Sequence, residues 1–164
     1  MISKKMQDAF VDQINEELFS SYLYLSMAAW FESKNFHGMA KWMQVQAEEE
    51  REHAMKFFDQ IVERGGRVKL AAIKEPQFEW KNPLDAFQAA FAHEQHITKR
   101  INDLTDLAVK EKDHASQIFL QWFVKEQVEE EAHADEIVHK LEFIGEAGHG
   151  LYMIDRELGA READ

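Results

Sequence analysis

No glycine or proline stands between Pro83 and Gly145, and before Arg64 the chain carries only Gly38. Stretches this long without a breaker can close their backbone hydrogen bonds only as helices, so an all-α protein is expected. Apolar residues recur inside them at steps of three and four, the period of one helix face. A first helix is predicted over about Lys5 to Ser33, with Phe10, Ile14, Glu17, Ser21, Tyr24, Ala28 and Phe31 inward. Asn35-Phe36-His37-Gly38 breaks it. A second runs to about Arg64 on Met39, Met43, Gln46, Glu50, His53, Phe57 and Ile61, and Gly65-Gly66 stops it. Asn82 and Pro83 read as cap and first-turn residue of a third helix, with Leu84, Phe87, Phe91, Glu94, Thr98, Ile101, Thr105 and Ala108 inward. After a break around Lys110 to Asp113, a fourth helix presents Ser116, Leu120, Phe123, Gln127, Glu130, Ala134, Ile137, Leu141 and Ile144. A short fifth helix is expected over about 151–158.

The connectors set the topology. Short links make the first and second helices antiparallel, and likewise the third and fourth. Residues from about Arg67 to Asn82 are enough to travel the length of a bundle, so the second and third helices can lie parallel across one long crossover. The two halves correspond at an offset of 77 residues: Phe10 with Phe87, Glu17 with Glu94, Glu49 with Glu126, Glu50 with Gln127 and His53 with Glu130. This weak internal repeat points to a pseudo-two-fold axis. Residues 1–164 are expected to form one domain, with the bundle over about 5–145.

Charged residues on the core stripes are the exception that needs a cause. Glu17, His53, Glu94 and Glu130 each lie about 17 to 19 residues from their own turn, or roughly 27 Å at 1.5 Å per residue. Glu50 is one turn nearer. Glu17, Glu50, His53, Glu94, Gln127 and Glu130 should therefore converge on one slab of the core. Taken alone, runs such as Glu48-Glu49-Glu50 and Glu129-Glu130-Glu131 are solvated faces, but here the stripes are apolar above and below them. Buried carboxylates without counter-charge cost several kcal/mol each or take up protons. No Lys or Arg occupies the stripes. Two divalent cations would balance four carboxylates, and a donor set of oxygens with one imidazole and no sulfur suits iron or manganese. Tyr24 lies two turns beyond Glu17, close enough to hydrogen-bond a ligand or pass an electron, and a packing role stays open. The other histidines (His37, His93, His96, His114, His133, His139 and His149) fall off the stripes and read as surface residues.

Composition removes several alternatives. A net charge of −12 disfavours nucleic acid and anionic membrane surfaces as partners. The absence of cysteine rules out disulfides, thiolate metal sites and iron–sulfur clusters. No apolar run reaches the roughly 18 residues of a membrane span, and Met1-Ile2-Ser3-Lys4-Lys5 lacks the apolar core of a signal peptide. A cytoplasmic protein is the expectation.

Several motifs together resemble the bacterial non-haem ferritins over nearly the full chain. They are Asn15-Glu16-Glu17-Leu18-Phe19-Ser20-Ser21-Tyr22, Glu48-Glu49-Glu50-Arg51-Glu52-His53, His93-Glu94-Gln95, and Phe119-Leu120-Gln121-Trp122-Phe123 followed by Glu126-Gln127-Val128-Glu129-Glu130-Glu131. Gly150-Leu151-Tyr152-Met153-Ile154-Asp155 is similar to the family's short last helix. The resemblance implies a ferritin-like four-helix bundle with a short fifth helix and a ferroxidase centre inside each subunit. Glu17, Glu50 and His53 match the ligands of one iron, and Glu94, Glu130 and the bridging Glu50 those of the other, with Gln127 beside them. Glu49, Glu126 and Glu129, with Glu130, match a third iron site, and Tyr24 the tyrosine near the centre. The implied activity is oxidation of Fe(II) by O2 or H2O2 and storage of ferric mineral in a hollow shell of 24 identical subunits. No haem is expected, because Arg51 stands where bacterioferritins carry a haem-ligating methionine and Gln127-x-x-Glu130 replaces their second Glu-x-x-His. A di-iron oxygenase or peroxidase, and a protein that merely binds iron, are the rival expectations.

Overall fold

The computed structural model describes residues 1–162. It is all-helical, with α1 (Lys4–Ser33), α2 (His37–Glu63), α3 (Pro83–Lys110), α4 (His114–Ile144) and α5 (Gly148–Leu158). α1 packs on α2, α3 on α4 and α1 on α3, while α5 touches α2 and α4. No helix is long and apolar enough to cross a membrane among the described residues.

Each long helix starts and stops where its local chemistry dictates. The hydroxyl of Ser3 accepts from Met6 N at 3.2 Å, the Asn82 side chain from Asp85 N at 2.8 Å, and Asp113 from Ser116 N at 3.1 Å. α2 ends in a paired turn: Gly66 N donates to Ile61 O and Gly65 N to Val62 O, with Gly65 at φ 75°, a left-handed value that glycine adopts without strain. Arg64 then grips Asp113 through two 2.9 Å hydrogen bonds, tying the end of α2 to the turn between α3 and α4.

The crossover, residues 64–82, runs the length of α1. Arg67 N donates to Gln7 Oε1, Asn15 Nδ2 to Ala72 O at 3.1 Å, and Ser26 Oγ to Gln77 O at 2.7 Å, and Trp80 meets Trp30 edge-on at 5.9 Å. The connector climbs beside α1 from its first turns to its last, so α3 begins at the far end and lies parallel to α2.

α2 has no capping side chain of its own, since Phe36 occupies that position. Its cap comes from α5: Asp155 Oδ1 accepts from Met39 N at 2.8 Å. The approach is so close that a Cβ on Gly38 would lie 1.6 Å from the Asp155 carbonyl oxygen. His37 and Gly38, which read as part of a break, are thus the first residues of α2.

Two further expectations need correction. α5 begins at Gly148, about a turn before the expected Leu151, because Gly148 and Gly150 sit inside its helical hydrogen bonding. On α3 the buried face is Ala86, Phe87, Ala90, Glu94, Ile97, Ile101, Leu104 and Ala108, while Leu84, Phe91, Thr98 and Thr105 are only half-buried. Ser21 on α1 is likewise half-buried. The stripes predicted for α2 and α4 are buried throughout, except that Ile144 is half-exposed.

The core is in two parts. One apolar cluster holds Met27, Phe31, Met39, Met43, Phe87 and Leu141. The other holds Phe10, Ile14, Phe57, Ile61, Ile101, Leu120 and Phe123. Between them lies a band of buried polar residues: Gln13, Glu17, Ser20, Gln46, Glu50, His53, Glu94, Gln127 and Glu130.

Candidate metal centre

The polar band gathers one acidic group from each long helix. Glu17 comes from α1, Glu50 and His53 from α2, Glu94 from α3 and Glu130 from α4. All five are at most 6% exposed. Steps of three place Glu50 and His53 on the same side of α2, where His53 Nδ1 lies 3.4 Å from Glu50 Oε2. Glu17, Glu50 and His53 bring one potential ligand atom each within 4.8 Å of one another. His53, Glu126 and Glu130 do the same on the other side of the imidazole. The His53 ring is held edge-on by Trp122 and Phe123, with centroids at 5.3 and 5.9 Å.

Two buried glutamines orient the carboxylates. Gln13 Nε2 donates to Glu17 Oε1 at 2.8 Å, and Arg100 Nε fills Gln13 Oε1 at 2.9 Å. Gln46 Nε2 donates to Glu50 Oε1 at 3.2 Å and Glu130 Oε2 at 2.8 Å, and Arg161 Nη1 fills Gln46 Oε1 at 2.8 Å. In each case an arginine takes the amide oxygen, so the amide hydrogens must face the acids. Glu94 accepts from the Tyr24 hydroxyl and, at 3.2 Å, from Gln127 Nε2. Glu17 Oε2 is buried with no hydrogen-bond partner.

Electrostatically the band is under stress without a cation. Burial, and then the charge of Glu50, hold the Glu17 carboxyl well above the usual carboxylate range. Burial, and then Glu94 and Glu130, do the same to Glu50. Burial raises Glu94 to about 7, and burial with the Glu94 charge raises Glu130 to about 7. Tyr24 is pushed well above its ordinary range by burial and by Glu94, so it stays a neutral donor. An uncharged band of this kind would be unusual among buried polar groups. Cations would instead let every carboxylate ionise, and hard oxygens with a single imidazole match iron or manganese.

Glu49 and Glu129 join neither of the two ligand groupings. Glu49 Oε2 is paired with Arg161 Nη2 at 2.5 Å, and Glu129 Oε1 lies 3.8 Å from Lys125 Nζ at the surface. His93 is half-buried rather than exposed: it packs edge-on to Tyr24 and Phe19, and its Nε2 lies 2.7 Å from Ser20 Oγ. Burial lowers it to about 4, which leaves the imidazole neutral behind Tyr24. Gln13 and Arg161 were not singled out. Gln13 follows the same three–four stripe as Glu17 and was legible there, whereas Arg161 reaches the band from beyond α5, where no periodicity points.

Comparison with known proteins identifies the family of this fold. The family model described as Ferritin-like domain matches residues 7–144. A bacterial non-heme ferritin of Bacteroides fragilis is 47% identical over 161 residues, spanning 98% of this chain and 100% of the relative. A probable bacterial non-heme ferritin-like protein of Haemophilus influenzae is 41% identical, spanning 97% and 96%. Among solved structures, an open pore ferritin from the hyperthermophilic archaeon Archaeoglobus fulgidus superposes with a TM-score of 0.98 at 53% identity, over 99% of this chain and 100% of that one. A closed form of the A. fulgidus ferritin engineered by site-directed mutagenesis gives 0.99 at 52% identity, over the whole of both chains.

Proposed function

This chain belongs to the ferritin-like domain family, and on that premise we propose that it is an iron-storage ferroxidase. Fe(II) is the substrate. Glu17, Glu50 and His53 bind one ion, and Glu50, Glu94 and Glu130 the second, with Gln127 and Tyr24 steadying Glu94. Glu126, with Glu49 and Glu129, serves an accessory site beside the pair. Two Fe(II) ions held together give up one electron each. O2 takes both electrons and two protons and leaves as hydrogen peroxide, so no one-electron oxygen product is released. H2O2 can serve as oxidant in the same two-electron way. Carboxylates favour the more highly charged ferric product, because a hard trivalent ion gains more from their negative charge. The product then hydrolyses to mineral inside a shell of identical subunits, 24 in number by the family resemblance. The acidic chain suits a partner that is a cation, with no role for nucleic acid or membrane.

The observation that carries this reading is the convergence of Glu17, Glu50 and His53, all three buried, with one potential ligand atom from each within 4.8 Å of one another. Two carboxylates and an imidazole this close together at that depth need protons or cations to balance them. Glu17→Ala and His53→Ala should each slow the initial rate of aerobic Fe(II) oxidation by at least roughly tenfold, as loss of a metal ligand does, with the shell still assembled. Unchanged initial rates in both variants sink the assignment. Adding hundreds of Fe(II) per chain in air should yield mineral-filled particles. A small oligomer holding two or three irons per chain would favour an oxygenase or a plain binding protein.

A further inference from the structure

Beyond α5, residues Gly159 to Arg161 turn back onto α2. Lys41 Nζ donates to Gly159 O at 3.0 Å, and Lys140 Nζ to Glu157 at 2.6 Å, so the end of α5 is fastened to both α2 and α4. From that anchorage the Arg161 guanidinium makes three contacts with one face of α2. Nη1 bonds Gln46 at 2.8 Å, Nη2 bonds Glu49 at 2.5 Å, and the guanidinium carbon lies 4.5 Å from the centre of the Trp42 ring. The side chains of Arg161 and Glu49 are 20% and 17% exposed, so the pair is largely withdrawn from the solvent screening that makes surface pairs weak.

This contact sits at the mouth of the paired site. A cleft of about 600 Å³ opens there, lined by Glu49, His53, Trp122, Glu126, Glu129 and Arg161. His53, Glu126 and Glu130, which form a grouping that could hold a cation, are among its walls. Glu49 borders the same cleft, but its carboxylate is turned to the arginine. Through Gln46 the same guanidinium also sets the hydrogen bonds to Glu50 and Glu130.

We propose that Arg161 sets the affinity of the accessory site, as a built-in counter-cation on Glu49 that a metal ion must displace before it can use that carboxylate. This rests on the accessory site of the preceding section and adds what tunes it. With the arginine in place, a third ion is held weakly and passes on. Without it, a cation competing for the Glu49 carboxylate is gone and the third ion is held longer.

Co(II) titrated anaerobically into chelator-stripped shells counts cations with no iron oxidation, by calorimetry and by the visible absorption of the bound ion. Wild type should take two ions per chain at the buried pair and a third more weakly. Arg161→Gln, and equally Arg161→Ala, should bind the third ion about tenfold tighter, the effect of releasing one partly buried ion pair. Arg161→Lys keeps the charge and should stay close to wild type, and Glu49→Gln should lose the third ion. If the pair binds normally but the third constant is unchanged or weaker in both Arg161→Gln and Arg161→Ala, the latch is wrong while the paired site stands. If wild type itself binds no pair, the paired-site reading fails and takes the latch with it.

Discussion

Glu94 and Glu130 turn the buried band into a source of pH dependence with a definite sign. Both carboxyls titrate near 7 in the folded chain, against an ordinary value of 4.5. Between these limits the folded state binds more protons than the unfolded one, so folding stability falls as pH rises. Their stabilising contribution is complete below pH 4.5 and is lost as pH passes through about 7. Chelator-stripped protein should therefore be less stable at pH 8 than at pH 5.5, by on the order of a few kcal/mol for the pair, and unfold at a lower temperature. Adding Co(II) should reverse the order, because metal replaces the protons and binding improves as the acids ionise. Thermal unfolding at the two pH values, with and without metal, checks this. A stripped protein more stable at pH 8 than at 5.5 would mean that the carboxyls are not held protonated by burial. The acids themselves were legible in the sequence, because a glutamate on an apolar stripe contradicts its surroundings. Gln13 obeyed the same logic but is uncharged, so nothing flagged it. His93 and Arg161 were illegible for another reason: their burial is set by contacts between elements distant in the chain.

Elements were legible in proportion to how much their faces differ. α2 and α4 alternate large apolar and polar residues cleanly, and their stripes are buried almost as expected. α3 misled because close approach to its neighbours uses alanine: Ala86 and Ala90 are buried, while bulkier Leu84 and Phe91 sit at the margin of the core. A reading that weights size rotates such a face by one position. The junction of α5 with α2 was likewise hidden, since Gly38 spelled a break when its actual role is to let α5 approach. Here the expected consequences are specific. Asp155→Ala removes the cap on Met39 N and should destabilise by about 1 kcal/mol. Gly38→Ala should do more, because the new Cβ meets backbone at 1.6 Å and one helix must move. Amide hydrogen exchange over residues 148–158 should accelerate in both variants, most in Gly38→Ala, while α1 and α3 stay protected. Equal protection of α5 in wild type and Gly38→Ala would show that the close contact does not hold it.

At the scale of the whole molecule, the site and the storage compartment are separable. Every proposed ligand comes from one chain, so metal binding needs no neighbour. A storage cavity does. For the proposed shell, one candidate contact is an apolar group on α1 and the crossover: Tyr22 and Leu25, one turn apart, are 50% and 52% exposed, and Phe78 is 69% exposed. Ser26 Oγ holds Gln77 O at 2.7 Å, which keeps Phe78 next to this face. Apolar side chains grouped like this on a chain of net charge −12 mark a contact surface. The double variant Leu25→Asp with Phe78→Asp places two more negative charges on the patch of each chain and should reduce the shell to small species by light scattering, with the helical circular dichroism unchanged. Since the paired site is intact, its first two Fe(II) per chain should still oxidise quickly in air. Further iron should then precipitate in bulk, because the ferric product has no enclosed volume in which to grow. Loss of rapid oxidation along with assembly would mean that the centre depends on a neighbouring subunit. Retention of soluble mineral by the small species would mean that the shell is not what confines it.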